Sequence, residues 1–269
     1  MKVYVSMDME GVAGVTHWDQ TNKTGGSDYE RCRKLMTAEA SAAVAGAFDG
    51  GATEVLVNDS HGGMRNLYAE DLDPRARLIQ GSPKPWSMVE GLDGNCACAI
   101  FAGYHAPGSE PGVLSHTYTG FVHRVRVNGR LVGEAGLNGY YAGTSGVPVV
   151  LLTGDDRACA DARDLFPGVH TLETKRAITR YSAESLSPAE SCRGIRAAAA
   201  EAVRDRASVA PIRPTLPVRL EVEMADVGQA DAAALMPGTI RVDGVTLGYE
   251  AGDYPTALRA MRTWLSLAR

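Results

Sequence analysis

Short apolar runs that stop at a histidine or a carboxylate recur along this chain, and they constrain its fold more than any other feature. MKVYVSMDME is apolar from Val3 to Met7 and then gives Asp8 and Glu10. TEVLVNDSHGG carries Val55–Val57 and then His61. CACAIFAGYHAPG carries Ala97–Ala102 and then His105, and RLVGEAGLNGYYAG carries Leu131–Val132 and then Glu134. The first run reads as a buried strand. Ser27–Gly51 has helical features, with Ser27 as N-cap, Glu30 three residues on and Gly50-Gly51 as the stop. Thr53–Asn58 is the next strand, so residues 1–60 form a βαβ unit. The fold class expected is α/β, with a mainly parallel central sheet and flanking helices. In such sheets chemistry gathers at the carboxyl ends of the strands.

The remaining chain extends this pattern. Residues 17–27 read as a polar loop. Arg77–Gln80 and Ala97–Gly103 read as strands, with a short helix near Trp86–Glu90 between them. Val122–Val132 alternates around Asn128-Gly129, the signature of a β-hairpin leading into Glu134 and a helix over Ala135–Ser145. Pro148–Thr153 is a strand, and Gly154-Asp155-Asp156 turns it into a helix. Ser187-Pro188 opens an Ala-rich helix, Ala189–Arg206, and Ala207–Pro217 holds three prolines. Beyond it come a strand at Val218–Met224, a helix at Asp226–Met236, two short strands about Asp243-Gly244 and a closing helix, Asp253–Leu267. The expected division is a metal-binding α/β domain over 1–180 and a smaller α+β portion over 181–269, with a soft boundary at 180–215.

Composition narrows the function classes. The net charge of −5 offers no electrostatic case for nucleic acid or an acidic membrane surface as a partner. No run approaches the roughly 18–20 apolar residues that span a bilayer. No charged leader precedes the first strand, so a cytoplasmic protein is expected. The five cysteines lack metal-finger spacing and read as reduced, mostly buried thiols. Cys96 and Cys98, two apart on a strand, are expected on one face.

Two imidazoles and three carboxylates at four strand ends make a mixed nitrogen–oxygen metal site, with enough donors for two ions. Asp8 can use one oxygen or bridge two metals, and Glu10 can complete one shell. Asp59 is placed to orient the His61 ring. His116, in the loop PGVLSHTYTG, can exchange protons or stabilise an oxyanion; a third histidine ligand or a plain loop residue are its other readings. His17, His123 and His170 lack comparable context. No HExxH helix, GxSxG elbow, Walker A loop or GxGxxG turn is present.

Taken together, SMDMEGVAG, LVNDSHGGMRNL, KPWSMVEGLD, AGYHAPGSEPGVLSHT, VGEAGLNGYYAG and VVLLTGDDRA resemble the D-aminopeptidase family of dinuclear zinc metallopeptidases. The later stretches SLSPAES and DAAALMPGTIRVDG fit the same family, so the resemblance covers nearly the whole chain. It implies two zinc ions per chain, held by Asp8, Glu10, His61, His105 and Glu134, with Asp8 bridging. It implies that His116 is the catalytic histidine and that the assembly is a homodecameric ring. It also implies hydrolysis of short peptides bearing an N-terminal D-amino acid, such as D-Ala-D-Ala. The polar loop after Gly14 departs from the family motifs and bears on substrate preference.

The reaction expected is attack of a metal-activated water, with His116 stabilising the oxyanion or passing a proton; attack by His116 itself is a variant. Manganese or cobalt suits the same donors. The alternatives are a related dinuclear amidohydrolase or aminopeptidase acting on L- or modified peptides, a phosphatase using Arg65 or Lys84, and a non-enzymatic peptide- or metal-binding protein.

Overall fold

In the computed structural model, which describes residues 1–269, the chain opens with β1 (Lys2–Met7), α1 (Ser27–Asp49), β2 (Glu54–Asp59), β3 (Ala76–Ile79) and β4 (Cys96–Tyr104). A hairpin of β5 (Val122–Val127) and β6 (Arg130–Leu131) leads into α2 (Glu134–Thr144), β7 (Val149–Asp155) and α3 (Asp156–Leu165). Then come β8 (His170–Thr179), β9 (Ser182–Ser185) and α4 (Pro188–Arg204). The chain closes with β10 (Val218–Met224), α5 (Val227–Ala234), β11 (Ile240–Arg241), β12 (Thr246–Ala251) and α6 (Tyr254–Leu267). Gly26, rather than Ser27, occupies the N-cap of α1, whereas Ser187, Asp226 and Asp253 cap their helices through their side chains.

Seven strands form one sheet in the order β3-β2-β1-β4-β7-β8-β9, parallel except for β9. The chain moves outward from β1 through β2 to β3 and then returns to β4 on the other side of β1. That reversal opens a crevice at the carboxyl ends of β1 and β4. Strand alternation sends Val3, Val5 and Met7 into a core shared with α1 and α4, and Tyr4 into the core on the opposite face. The Ala-rich face of α4 lets it pack tightly on α1. A Cβ on Gly46 would meet the Arg196 carbonyl oxygen at 2.3 Å.

The second sheet is antiparallel, in the order β11-β12-β10-β5-β6. Asn128 and Gly129 turn the hairpin with φ of 51° and 82°. Val122, Val125 and Val127 of β5 are buried in the core, and β10 is the main strand partner of β5. Helix α6 covers this sheet and buries Trp264, whose indole N–H donates to Thr239 Oγ1 at 2.8 Å. A boundary at 180–215 therefore does not separate the sheets. β9 and α4 lie with the first sheet, and the 122–131 hairpin joins the C-terminal strands.

Two local features depart from the sequence expectation. Cys96 and Cys98 enter opposite cores, because Lys2 pairs with Cys96 and Val3 with Cys98, leaving Ala97 as a bulge. β8 and β9 lack an apolar run. The buried positions of HTLETKRAIT are Thr174 and Lys175.

Candidate active site

Asp8 and Glu10 leave β1, His61 leaves β2 and His105 leaves β4. These three strands are neighbours, so their carboxyl ends deliver four side chains to one point. Glu134, the first residue of α2, enters from the hairpin, and His116 enters from the loop between β4 and β5. His61 Nδ1 lies 3.0 Å from Glu10 Oε2 and 3.3 Å from Asp8 Oδ1. His105 Nε2 lies 3.5 Å from both Asp8 Oδ2 and Glu134 Oε1. His116 Nε2 lies 3.9 Å from Glu10 Oε1 and 3.8 Å from Glu134 Oε1. The His105 and His116 rings stack at 4.2 Å, 6° from parallel. All six sequence candidates thus converge. His17 and His123 are exposed, and His170 pairs with Asp205.

Backbone carbonyls aim the three rings. Thr21 O accepts from His61 Nε2 at 2.8 Å, Ala106 O from His105 Nδ1 at 2.9 Å and Leu114 O from His116 Nδ1 at 2.9 Å. These bonds assign the tautomers and turn the remaining nitrogens toward the carboxylates. Asp59 does not orient His61. Its carboxylate is taken by Asn66 N at 2.6 Å, Asn66 Nδ2 at 2.7 Å and Leu67 N at 2.8 Å. The polar loop after Gly14 supplies the carbonyl instead, through Thr21, so it carries a structural duty toward this histidine.

The cluster fits a divalent cation. Asp8 Oδ2 and His105 Nε2 are buried, face each other and have no hydrogen-bond partner. Buried polar atoms are rarely left so. Two groups bring donor atoms close enough to hold an ion: Asp8, Glu10 and His105, and His105, His116 and Glu134. The field also favours positive charge. Burial opposes protonation of His105, yet Glu134, Glu10 and Asp8 lift it to about 10. Burial and the neighbouring Glu10 push Asp8 up to about 7. Burial also opposes ionisation of Glu10, but His61 holds it below the usual carboxylate range. Burial and the neighbouring His105 lower His116.

The segment carrying Asp8 and Glu10 is pinned by distant elements. Gly103 has φ +71°, and a Cβ there would lie 2.2 Å from the Asp8 carbonyl oxygen, so only glycine lets β4 approach the segment that carries Asp8. Glu39 of α1 accepts from Ala13 N at 3.0 Å and from Ser191 Oγ of α4 at 2.7 Å. Lys175 of β8 is buried and donates to the carbonyls of Glu10 and Val15, both at 2.6 Å. Lys175 escaped the sequence reading because its strand has no apolar signature. Lys175→Met is expected to strand both carbonyls, at a cost of about 1–3 kcal/mol, and to loosen Glu10. Thermal melting and metal analysis check this. An unchanged melt with full metal content would show that the clamp is dispensable.

A cavity of about 410 Å³ opens over the cluster. Asp8, Glu10, His61, His116 and Glu134 form one part of its wall, and Trp18, Tyr118 and Arg262 contribute to the rest. His105 lies beneath, its side chain 1% exposed, while His116 faces the cavity with the Trp18 ring edge-on at 5.3 Å. Tyr118 N donates to Glu134 Oε1 at 2.6 Å. Trp18, Tyr118 and Arg262 were not singled out from sequence. Adjacency to His116 in SHTYTG was the available signal for Tyr118, and none existed for Arg262. The two cations named for a phosphatase, Arg65 and Lys84, are not aimed at the cluster. Arg65 lines a neighbouring groove, and Lys84 Nζ donates to Asn58 Oδ1 and Asp59 O.

A parallel α/β sheet with an imidazole–carboxylate cluster at its topological switch point, under a cavity of small-ligand size, fits a metal-dependent hydrolase. The comparisons with known proteins agree. Residues 1–263 match the family model Peptidase_M55, D-aminopeptidase, and the chain belongs to that family. It is 45% identical over 269 residues to a D-aminopeptidase of Bacillus subtilis (strain 168), covering 100% of this chain and 98% of the relative. It is also similar to the solved structure of the Zn-dependent D-aminopeptidase DppA from Bacillus subtilis, described as a self-compartmentalizing protease. The TM-score is 0.97 at 45% identity, covering 100% of this chain and 98% of that one.

Proposed function

We propose that this chain is a zinc-dependent aminopeptidase that removes an N-terminal D-amino acid from short peptides such as D-Ala-D-Ala. The observation that carries the reading is the unpartnered, buried pair Asp8 Oδ2 and His105 Nε2 at the base of the cavity. Asp8, Glu10, His61, His105 and Glu134 would hold two zinc ions, with Asp8 facing His61 through one oxygen and His105 through the other. Bound zinc supplies Lewis acidity, polarising the scissile carbonyl and acidifying water toward neutral pH. The three histidine–carbonyl bonds keep the donor nitrogens aimed inward. Asp8, Glu10 and Glu134 supply the negative charge that offsets the cations, and the acidic wall also suits the substrate's ammonium group. His116, its Nδ1 committed to Leu114 O, presents Nε2 to the cavity, where it stabilises the oxyanion or hands a proton to the leaving amine.

The ring-shaped decamer implied by the family resemblance belongs to the same proposal. The self-compartmentalizing assembly of the similar Bacillus subtilis enzyme supports it.

The deciding experiment measures metal content and amino-acid release from D-Ala-D-Ala and L-Ala-L-Ala, before and after chelation. About two zinc ions per chain and chelator-sensitive release from the D-peptide are expected. Activity confined to L-peptides would keep the chemistry and discard the D-preference. Absence of both metal and activity would refute the reading.

A further inference from the structure

We propose that Arg262 sets the preference for short peptides by binding the substrate's free C-terminal carboxylate. The inference rests on the aminopeptidase reading and concerns the end of the substrate away from the scissile bond. Arg262 projects from the last turns of α6 into the cavity that also exposes Asp8, Glu10, His116 and Glu134. Its guanidinium is fixed on one side. Nη1 donates to the carbonyls of Lys84, at 2.8 Å, and Pro85. Nε and Nη2 have no protein partner, and no carboxylate of the chain pairs with this cation. Several arginines elsewhere on the molecule are neutralised, as Arg157 is by Glu110 and Arg124 by Glu223, whereas Arg262 and the exposed Arg269 of the cavity wall have no carboxylate partner. A half-buried guanidinium held by one nitrogen, with its other donors open to a cavity, presents the fork that matches a carboxylate.

The cavity's polarity and size fit the two ends of a short zwitterion. The acidic cluster takes the amine end and Arg262 the carboxylate end. A volume of about 410 Å³ corresponds to a sphere about 9 Å across. At about 3.3–3.6 Å per extended residue, a dipeptide or tripeptide reaches across such a space. A longer peptide would place an amide, not a carboxylate, beside Arg262, replacing a bidentate ion pair by a weaker bond to a neutral carbonyl. Selection for short substrates then has a chemical component within each subunit, in addition to any exclusion by assembly.

The test compares D-Ala-D-Ala with D-Ala-D-alaninamide, which lacks only the terminal charge. Wild type is expected to show a KM about 10–100-fold lower for the free acid, the range for charge-assisted hydrogen bonds. In Arg262→Gln that preference is expected to collapse, and in Arg262→Lys to survive in part. A merely structural role, holding the Lys84–Pro85 segment, would impair both substrates alike and leave the preference intact. That result, or equal KM values in wild type, overturns the proposal. Turnover of neither peptide by wild type refutes the aminopeptidase reading instead. Calorimetric titration of both compounds into wild type and Arg262→Gln then decides on Arg262 through the same acid-to-amide ratio in Kd.

Discussion

Asp8→Asn is expected to strip the metal from the site and to lower kcat/KM on D-Ala-D-Ala by roughly 1,000-fold or more, because Lewis-acid stabilisation is worth several kcal/mol. Asp8 is the acid that touches both halves of the cluster. Oδ1 accepts from Met9 N at 2.9 Å and faces His61, while Oδ2 faces His105. An asparagine keeps the shape but removes the charge that a pair of divalent cations requires. Folding should not suffer. Burial and Glu10 already make the Asp8 charge unfavourable in the metal-free protein, raising its carboxyl to about 7. The metal-free variant should therefore melt no lower than metal-free wild type at neutral pH. Elemental analysis, rates and melting curves check the three statements together. A variant that keeps two metals and its rate would remove Asp8 from the site.

His116→Ala separates binding from catalysis. Its metal content should match wild type while kcat falls about 100- to 10,000-fold, the span of one general acid–base or oxyanion group. The geometry permits a rival outcome. His116 lies with His105 and Glu134 in a group able to hold an ion. Loss of one metal per chain in the variant would make His116 a ligand. Full activity with both metals retained would leave it without a role. Its place in the cavity wall, above the buried His105, favours contact with substrate.

Much of this architecture was legible in the chain. Runs such as Val3–Met7 and Val55–Val57 are too short for helices and too apolar for an exposed sheet, so they require burial on both faces. Polar groups at their ends then collect on one edge. Other parts carried no local signal. The bulge at Ala97 sends Cys96 and Cys98 to opposite cores, and only pairing with β1 reveals it. Asp59 is adjacent to the His61 loop in sequence, yet Asn66 and Leu67 claim its oxygens first. Lys175 has no local signal at all, and its role emerges only where β8 runs beside the segment that carries Glu10.

His116 owes its catalytic reading to the family resemblance, whereas the α/β class, the hairpin at Asn128-Gly129 and the two histidines and three carboxylates at the strand ends were legible in the chain alone. These follow from hydrophobic period, turn chemistry and chemical type, which are local properties. Folding of the whole chain set the Lys175 clamp on the Glu10 carbonyl, the pairing of the 122–131 hairpin with β10 and the place of Arg262 in the cavity wall. Those outcomes depend on contacts between residues about 90 to 180 positions apart, as in Arg262 with Lys84 and Asn128 with Arg219. Packing selects such partners through the whole core. No short window of sequence contains the competing surfaces among which that selection is made.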